Sequence, residues 1–229
     1  MTFDPVAASA RLRDATPRAI LSHAVEQFGQ GLLFTSSFGA QSGVLLHLWS
    51  EVARPLPVVF LDTGFLFPET LAYRDALASR LGLTVKTLVP DIPNADFVAR
   101  YGTDIQERDA DFCCGVNKVA PLAPLRDAAT AWVSGLRRDQ SQTRAATELF
   151  EADGRLVRVH PLAAMTRADV AAYLAKHAIP EHPLAARRYL SIGCAPCTRA
   201  VGEGEDERAG RWAGSSKTEC GLHGRRATA

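Results

Sequence analysis

The chain has 229 residues, 47% of them hydrophobic, enough for one sizeable core and at most one domain with an appendage. Its 26 basic and 25 acidic residues leave a formal net charge of +1, so no overall field draws it to nucleic acid or an anionic membrane, and any bound anion must meet a local cluster. No apolar run approaches the roughly 20 residues of a membrane helix, and the opening MTFDPVAASARLRD lacks a signal peptide's apolar stretch, which predicts a cytoplasmic protein.

In chain order, residues 32–36 (LLFTS) and 58–62 (VVFLD) are short apolar runs with β-branched and aromatic content; between them, 41–52 spaces Val44, Leu45, Leu48 and Trp49 on one helical face. A helix over about 69–81, a strand at 84–89, a short helix near 95–101 and apolar runs at 131–136 and 155–160 continue the pattern. Thr166-Arg167-Ala168-Asp169 offers an N-cap and an acidic N3 residue for a further helix that ends before Pro180. Strands alternating with helices predict an α/β fold, a mostly parallel twisted sheet with helices on both faces. Ligands bind beyond the carboxyl ends of such strands, which directs attention to the loops after 36, 62 and 136. Past Cys197 the chain turns to glycine and charge, so the expected organisation is one domain over 1–200 and a mobile tail over 201–229. Trp212 and Cys220 are residues that a purely solvating tail has no need to carry.

The loop Ser36-Ser37-Phe38-Gly39-Ala40-Gln41-Ser42-Gly43 leads from the first strand into a helix. Backbone N–H groups at a helix start, freed by glycines and joined by hydroxyls, make a phosphate cradle, although small residues at such a turn also serve packing. The loop from Leu61 through Asp62, Thr63 and Gly64 to Pro68 and Glu69 has the same placement, and reads equally as a Pro-started helix N-terminus. From Trp132 to Arg144 a strand opens into a loop with Arg137, Arg138 and Arg144, planar forks that suit phosphate or sulfate oxygens; a solvated charged loop is the other reading.

Five cysteines, at 113, 114, 194, 197 and 220, are an odd count in a compartment that keeps thiols reduced, so no disulfide framework is expected. Cys113-Cys114 and Cys194-Ala195-Pro196-Cys197 supply four thiolates, the ligand set of zinc or of an iron–sulfur cluster, and spacing alone does not choose between them. Cys220 stands apart, in Lys217-Thr218-Glu219-Cys220-Gly221-Leu222-His223. Lys217 and His223 favour its thiolate and Glu219 opposes it, so it is a nucleophile candidate or an incidental exposed thiol.

Together, Ser-Ser-Phe-Gly-Ala-Gln-Ser, Leu-Asp-Thr-Gly with Phe-Pro-Glu-Thr, Cys-Cys with Lys118, Gly-Leu-Arg-Arg-Asp-Gln-Ser, Ser-Ile-Gly-Cys-Ala-Pro-Cys-Thr and Glu-Cys-Gly-Leu-His resemble, in family order, the adenylyl-sulfate/phosphoadenylyl-sulfate reductase family. The resemblance runs from about residue 30 to 224, and the last two motifs are its most specific. It implies a [4Fe–4S] cluster on Cys113, Cys114, Cys194 and Cys197, Cys220 as nucleophile with His223 beside it, and Lys118 between cluster and substrate. It implies that Ser36, Ser37, Leu61, Thr63, Gly135 and Arg144 line the nucleotide while Arg208 and Arg211 close over the phosphosulfate. The implied reaction converts adenosine 5′-phosphosulfate to sulfite in sulfate assimilation, with thioredoxin as reductant; homo-oligomer formation is left open. Where the family commonly has Arg-Lys this chain has Asn117-Lys118, and Ala185-Ala186-Arg187-Arg188-Tyr189 lacks a glycine before the tyrosine. Other readings are a reductase of the 3′-phosphorylated substrate, an ATP pyrophosphatase whose loop acid is replaced by Gln41, and a zinc-stabilised binding module.

Overall fold

The computed structural model describes residues 3–215 and 217–222; His223 lies outside the described residues. Strands β1 (Leu32–Thr35), β2 (Val58–Leu61), β3 (Val85–Leu88), β4 (Ala131–Val133), β5 (Phe150–Asp153) and β6 (Leu156–Val159) form one sheet in the order β3-β2-β1-β4-β6-β5. All neighbours pair in parallel except β5, which runs antiparallel to β6. The expected mostly parallel α/β sheet is therefore present. The hairpin strand β5 is the addition: Gly154, at φ +64°, supplies the left-handed step of its tight turn.

The helices are α1 (Pro5–Arg11), α2 (Pro17–Phe28), α3 (Gly43–Val52), α4 (Pro68–Leu81), α5 (Asn94–Tyr101), α6 (Ile105–Arg108), α7 (Ala110–Cys114), α8 (Ala120–Ala128) and α9 (Arg167–Lys176). Alternation along the strands sorts the core into two layers. Phe34, Val58, Phe60, Val133 and Val159 pack on one face with Ile20 and Leu21 of α2 and Leu46 and Trp49 of α3. Leu33, Val59, Trp132 and Leu156 face the other way, onto Leu122 and Leu125 of α8. Helix ends follow local chemistry: Pro68 opens α4 and Gly82, at φ +62°, closes it, while Thr166 and Asp169 form a reciprocal capping box on α9.

This strand order fixes where a ligand can sit. The chain proceeds from β1 outward through β2 and β3, then returns to the opposite side of β1 with β4. The loops that leave the carboxyl ends of β1 and β4 therefore diverge, and the crevice between them is the topological switch point of the sheet. No helix among the described residues is long and apolar enough to cross a membrane.

Candidate active site

At the switch point lies a cavity of about 240 Å³. Ser36, Ser37, Gly39 and Gln41 from the β1 loop line it on one side, Leu61 stands at its back, and Gly135, Gln140 and Arg144 from the β4 loop form the other side. The β1 loop turns sharply because Phe38 adopts φ +49°, a conformation few side chains accept. The fully buried Phe38 ring packs edge-on against Phe60 at 5.7 Å, and its N–H donates to Ser36 Oγ at 3.1 Å. Core packing and a local hydrogen bond thus hold the strained turn open toward α3.

The remaining wall comes from the tail. Lys118, Arg208, Arg211, Trp212, Glu219 and Cys220 all line the same cavity. Trp212 is buried and its backbone N–H donates to Cys197 O at 3.1 Å, Arg211 stacks over the Trp212 ring at 4.4 Å, and the Arg199 backbone N–H donates to Gly210 O at 2.9 Å. Gly193 leaves room for the Arg211 guanidinium, which a Cβ there would strike. Glu219 receives Arg144 Nε at 2.6 Å and Nη2 at 2.7 Å, and Arg208 Nη2 at 3.0 Å. The segment expected to be a mobile tail is here folded back over the site, largely by charged contacts, without helix or strand past Cys197 among the described residues.

Two pairs of cysteines meet beneath this wall. Cys113 and Cys114 end α7, and Cys194 and Cys197 bracket the short 3₁₀ turn Ala195–Cys197. All are free thiols. Burial, then the neighbouring Cys114, Cys194 and Cys197, pushes the Cys113 thiol up to about 12, and burial with Cys194 pushes Cys197 up to about 11. Cys194 goes the other way: burial opposes its charge, but Lys118, the Thr63 hydroxyl at 3.3 Å and Arg211 hold it below the ordinary thiol range. Lys118 is carried on a π-helical turn, Gly115–Val119, directly after the vicinal pair. Desolvation works against its charge, yet Cys194, Cys114 and Cys220 hold its pKa above the ordinary lysine range. Cys113, Cys114 and Cys197 each feel Cys194's charge against their own ionisation, and a bound cation is what would relieve them.

Of the residues singled out from the sequence, Ser36, Ser37, Leu61, Gly135, Arg144, Lys118, Arg208, Arg211 and Cys220 converge on the cavity. Thr63 is not among its lining residues; its buried hydroxyl faces the Cys194 sulfur. Arg137 is fully buried, engaging Asp139 at 2.9 Å, Glu207 at 3.4 Å and the Gln41 side-chain oxygen. Arg138 donates to Thr147 O at 2.7 Å and lines a separate surface groove with Arg13 and Phe150. Gln41 also donates to Glu207 at 2.9 Å, so the residue at the pyrophosphatase acid's place ties the tail down.

Both departures from the family pattern acquire physical meaning. Asn117 is buried and donates to Cys113 O at 3.0 Å with its amide 3.6 Å from the Cys113 sulfur, so an uncharged donor stands where a cation is common. Arg188 occupies the left-handed position, φ +65°, that a glycine would fill without strain. Its guanidinium donates to Val201 O at 2.9 Å and Gly202 O at 2.6 Å, an anchor at the base of the tail that glycine could not offer. Glu207 and Glu219 are the site residues that sequence reasoning did not single out as contacts. The signal was only their place in a tail rich in arginine partners.

Fold and site define a class: a mostly parallel α/β protein with a cation-lined cavity at the switch point, whose wall carries Cys220 and Cys194, with Cys113, Cys114 and Cys197 nearby. Residues 31–200 match the phosphoadenosine phosphosulfate reductase domain. The chain is 47% identical to the adenosine 5′-phosphosulfate reductase of Chelativorans sp. (strain BNC1), over 93% of this chain and 88% of that one. It is 41% identical to the phosphoadenosine 5′-phosphosulfate reductase of Gloeobacter violaceus, over 92% of this chain and 89% of that one. A crystal structure of phosphoadenylyl-sulfate (PAPS) reductase from Candida auris, a phosphate complex, superposes with a TM-score of 0.76 over 88% of this chain and 99% of that one; at 24% identity it supports the shared fold. The chain belongs to the phosphoadenosine phosphosulfate reductase domain family.

Proposed function

We propose that the chain is an adenylyl-sulfate reductase, which takes the sulfonyl group of adenosine 5′-phosphosulfate onto Cys220 and releases it as sulfite. One observation carries this reading: Cys220 lines a single cavity together with the Ser36–Ser37 turn, Gly135 and the cations Lys118, Arg144, Arg208 and Arg211. The adenosine 5′-phosphosulfate reductases that match over most of the chain supply the identity of the substrate. Ser36, Ser37, Leu61 and Gly135 would hold the nucleotide, and the cations would meet the phosphosulfate oxygens with charge-assisted hydrogen bonds. Thr63, expected at the nucleotide, also has its hydroxyl 3.3 Å from the Cys194 sulfur.

The Cys220 thiolate attacks the substrate sulfur, forming an S–S bond while the S–O bond to phosphate breaks and AMP leaves with the electron pair. AMP is a stable anion, so no strong general acid is demanded. One thiolate of an external dithiol then attacks the Cys220 sulfur, sulfite leaves with its electron pair, and the second thiol resolves the mixed disulfide. The dithiol, thioredoxin in this reading, ends as a disulfide, two electrons oxidised. In this reading the other four cysteines hold a cluster, so the chain has no resolving thiol to spare and needs the external dithiol. His223 is assigned to the nucleophile's neighbourhood on sequence grounds.

Cys113, Cys114, Cys194 and Cys197 would hold a [4Fe–4S] cluster. The donor set suits it: four thiols, none in a disulfide, with Cys113's ionisation opposed by burial and then by Cys114, Cys194 and Cys197. Among the described residues no three His, Cys, Asp or Glu side chains are disposed about one ion. Bound there, the cluster would supply a polarisable centre beside Lys118.

The form of the substrate without a 3′-phosphate is the one that the two cysteine pairs imply by the family resemblance, and the arginine assignments support it. A pocket selecting an added phosphate needs dedicated basic partners. Arg137 is already engaged by two carboxylates and Arg138 lies in another groove, so neither is free for that duty. The test is an anaerobic assay of sulfite release with reduced thioredoxin, comparing kcat/KM for the two substrates. We expect a clear preference for adenosine 5′-phosphosulfate. A ratio near one would remove the specificity, and no sulfite from either substrate would remove the function.

A further inference from the structure

The two arginines that the substrate's anionic end would need are already engaged, and by the residue next to the nucleophile. Arg144 presents the flat side of its fork, Nε and Nη2, to both oxygens of Glu219 at 2.6 and 2.7 Å, and its Nη1 engages Gln140. Arg208 Nη2 adds 3.0 Å to one of the same carboxylate oxygens. A guanidinium fork receives phosphate or sulfate in the same bidentate geometry, so the carboxylate and a phosphosulfate cannot both occupy it. Burial and the facing Arg144 charge push Arg208 down to about 10, so this pair of cations calls for an anion between them. The cavity left beside Glu219, about 240 Å³, is below the roughly 300–1,000 Å³ usual for ligand sites. Trp212, which lines that cavity, buries an indole N–H that has no acceptor among the described residues.

We propose that Glu219 is an internal stand-in for the substrate's anion, which latches the tail on Arg144 and Arg208 and is exchanged for the phosphosulfate when substrate enters. The exchange takes place beside the nucleophile, because consecutive Cα atoms are held about 3.8 Å apart and release of Glu219 frees the chain that carries Cys220. Should the carboxylate stay, it would face the incoming dianion across a desolvated cavity, and like charges there repel strongly. Filling of the pocket and presentation of the thiol are thereby one event. The proposal rests on the adenylyl-sulfate reading for the identity of the anion, but not for the latch.

The test uses the cluster-loaded protein and the variants Glu219→Gln, which removes the charge at constant shape, and Glu219→Asp, which keeps it. Two quantities are measured: the dissociation constant of AMP by calorimetry, and the rate of tryptic cleavage after Arg208 without nucleotide. In Glu219→Gln, AMP binds about tenfold tighter and cleavage is about tenfold faster, the size of one charge-assisted contact. Glu219→Asp stays close to wild type in both, which separates the latch from a general loss of folding. AMP binding that is unchanged or weaker in Glu219→Gln, or unchanged cleavage, overturns the proposal. If wild type and variants bind no AMP, the adenylyl-sulfate reading fails. The latch is then judged on inorganic sulfate, whose affinity must rise in Glu219→Gln by the same criterion.

Discussion

The cavity has two walls made in different ways. The wall from the β1 and β4 loops grows out of the sheet: Ser36 N–H donates to Val59 O and Ser134 N–H to Val159 O, each at 3.0 Å, and the strands behind them bury both faces. The wall from the tail has few buried apolar anchors, chiefly Val201 and Trp212. Its other ties are charged: Arg144 and Arg208 to Glu219, Arg137 and Arg167 to Glu207, Lys217 to Asp111, Arg188 to two backbone carbonyls. Apolar burial is given up only on unfolding. An ion pair can be exchanged for another anion: the Glu219 pairs with Arg144 and Arg208 are largely buried and weakly screened, while Arg167 and Asp111 leave one partner of their pairs exposed. One wall therefore sets where a ligand can lie and the other can answer its arrival, a division suited to the proposed reaction, in which substrate enters, is shielded, and the thiol is then shown to a second protein.

The strongest break in that comparison is Cys220→Ser. It should abolish sulfite release while AMP still binds, because the hydroxyl is not ionised at neutral pH. Mass spectrometry of wild type with substrate and no thioredoxin should find a sulfonate on the Cys220 peptide; an adduct on another cysteine would move the role elsewhere. Next, Cys194→Ser and Cys197→Ser should each lose iron, sulfide, visible colour and turnover together, since a four-thiolate cluster has no ligand to spare. Metal analysis returning zinc from active wild type would contradict this. Arg208→Ala and Arg211→Ala should come third, lowering kcat/KM about 10- to 100-fold, as each removes a charge-assisted contact of about 1.5–3 kcal/mol.

The same contrast explains what was legible. The body was read well because periodicity reports burial: β1, β2, α3 and α4 appear within a residue or two of the apolar runs that announce them, and Thr166 with Asp169 caps α9 as their spacing requires. β5 was missed because Phe150–Asp153 carries little apolar weight, although Asp153-Gly154 is a hairpin signal. α6 and α7 were missed because their burial is assembled from short pieces around Cys113, and α8 because it follows a π turn and buries little beyond Leu122. The tail's chemistry was legible only as a resemblance. Composition reports that its arginines and glutamates are polar, but not which carboxylate meets which guanidinium, because ion pairing leaves no period in the chain. Hence Arg137 could be left unassigned from sequence, when it is among the most buried side chains in the molecule.

The smallest expected effect lies wholly within the body and serves as the contrast to the tail variants. Thr166 Oγ1 accepts the Asp169 N–H at 3.2 Å, and the Asp169 carboxylate accepts the Thr166 N–H at 2.8 Å, closing the start of α9, whose Val170 and Leu174 join the main core. Thr166→Ala leaves one of these orphan donors unsatisfied and should destabilise the fold by about 1 kcal/mol, which for a chain of this size lowers Tm by roughly 2–4 °C. No cavity residue belongs to this cap, so kcat/KM at a temperature well below the transition should stay at the wild-type value. The Arg208 and Arg211 variants should show the reverse, a large kinetic loss with little change in Tm. Calorimetric unfolding and the sulfite assay on the same preparations measure both. If Thr166→Ala slowed turnover as much as the arginine variants, or if those variants melted as early as Thr166→Ala, stability and catalysis would not be divided between the two walls, and the tail would be one more piece of the core.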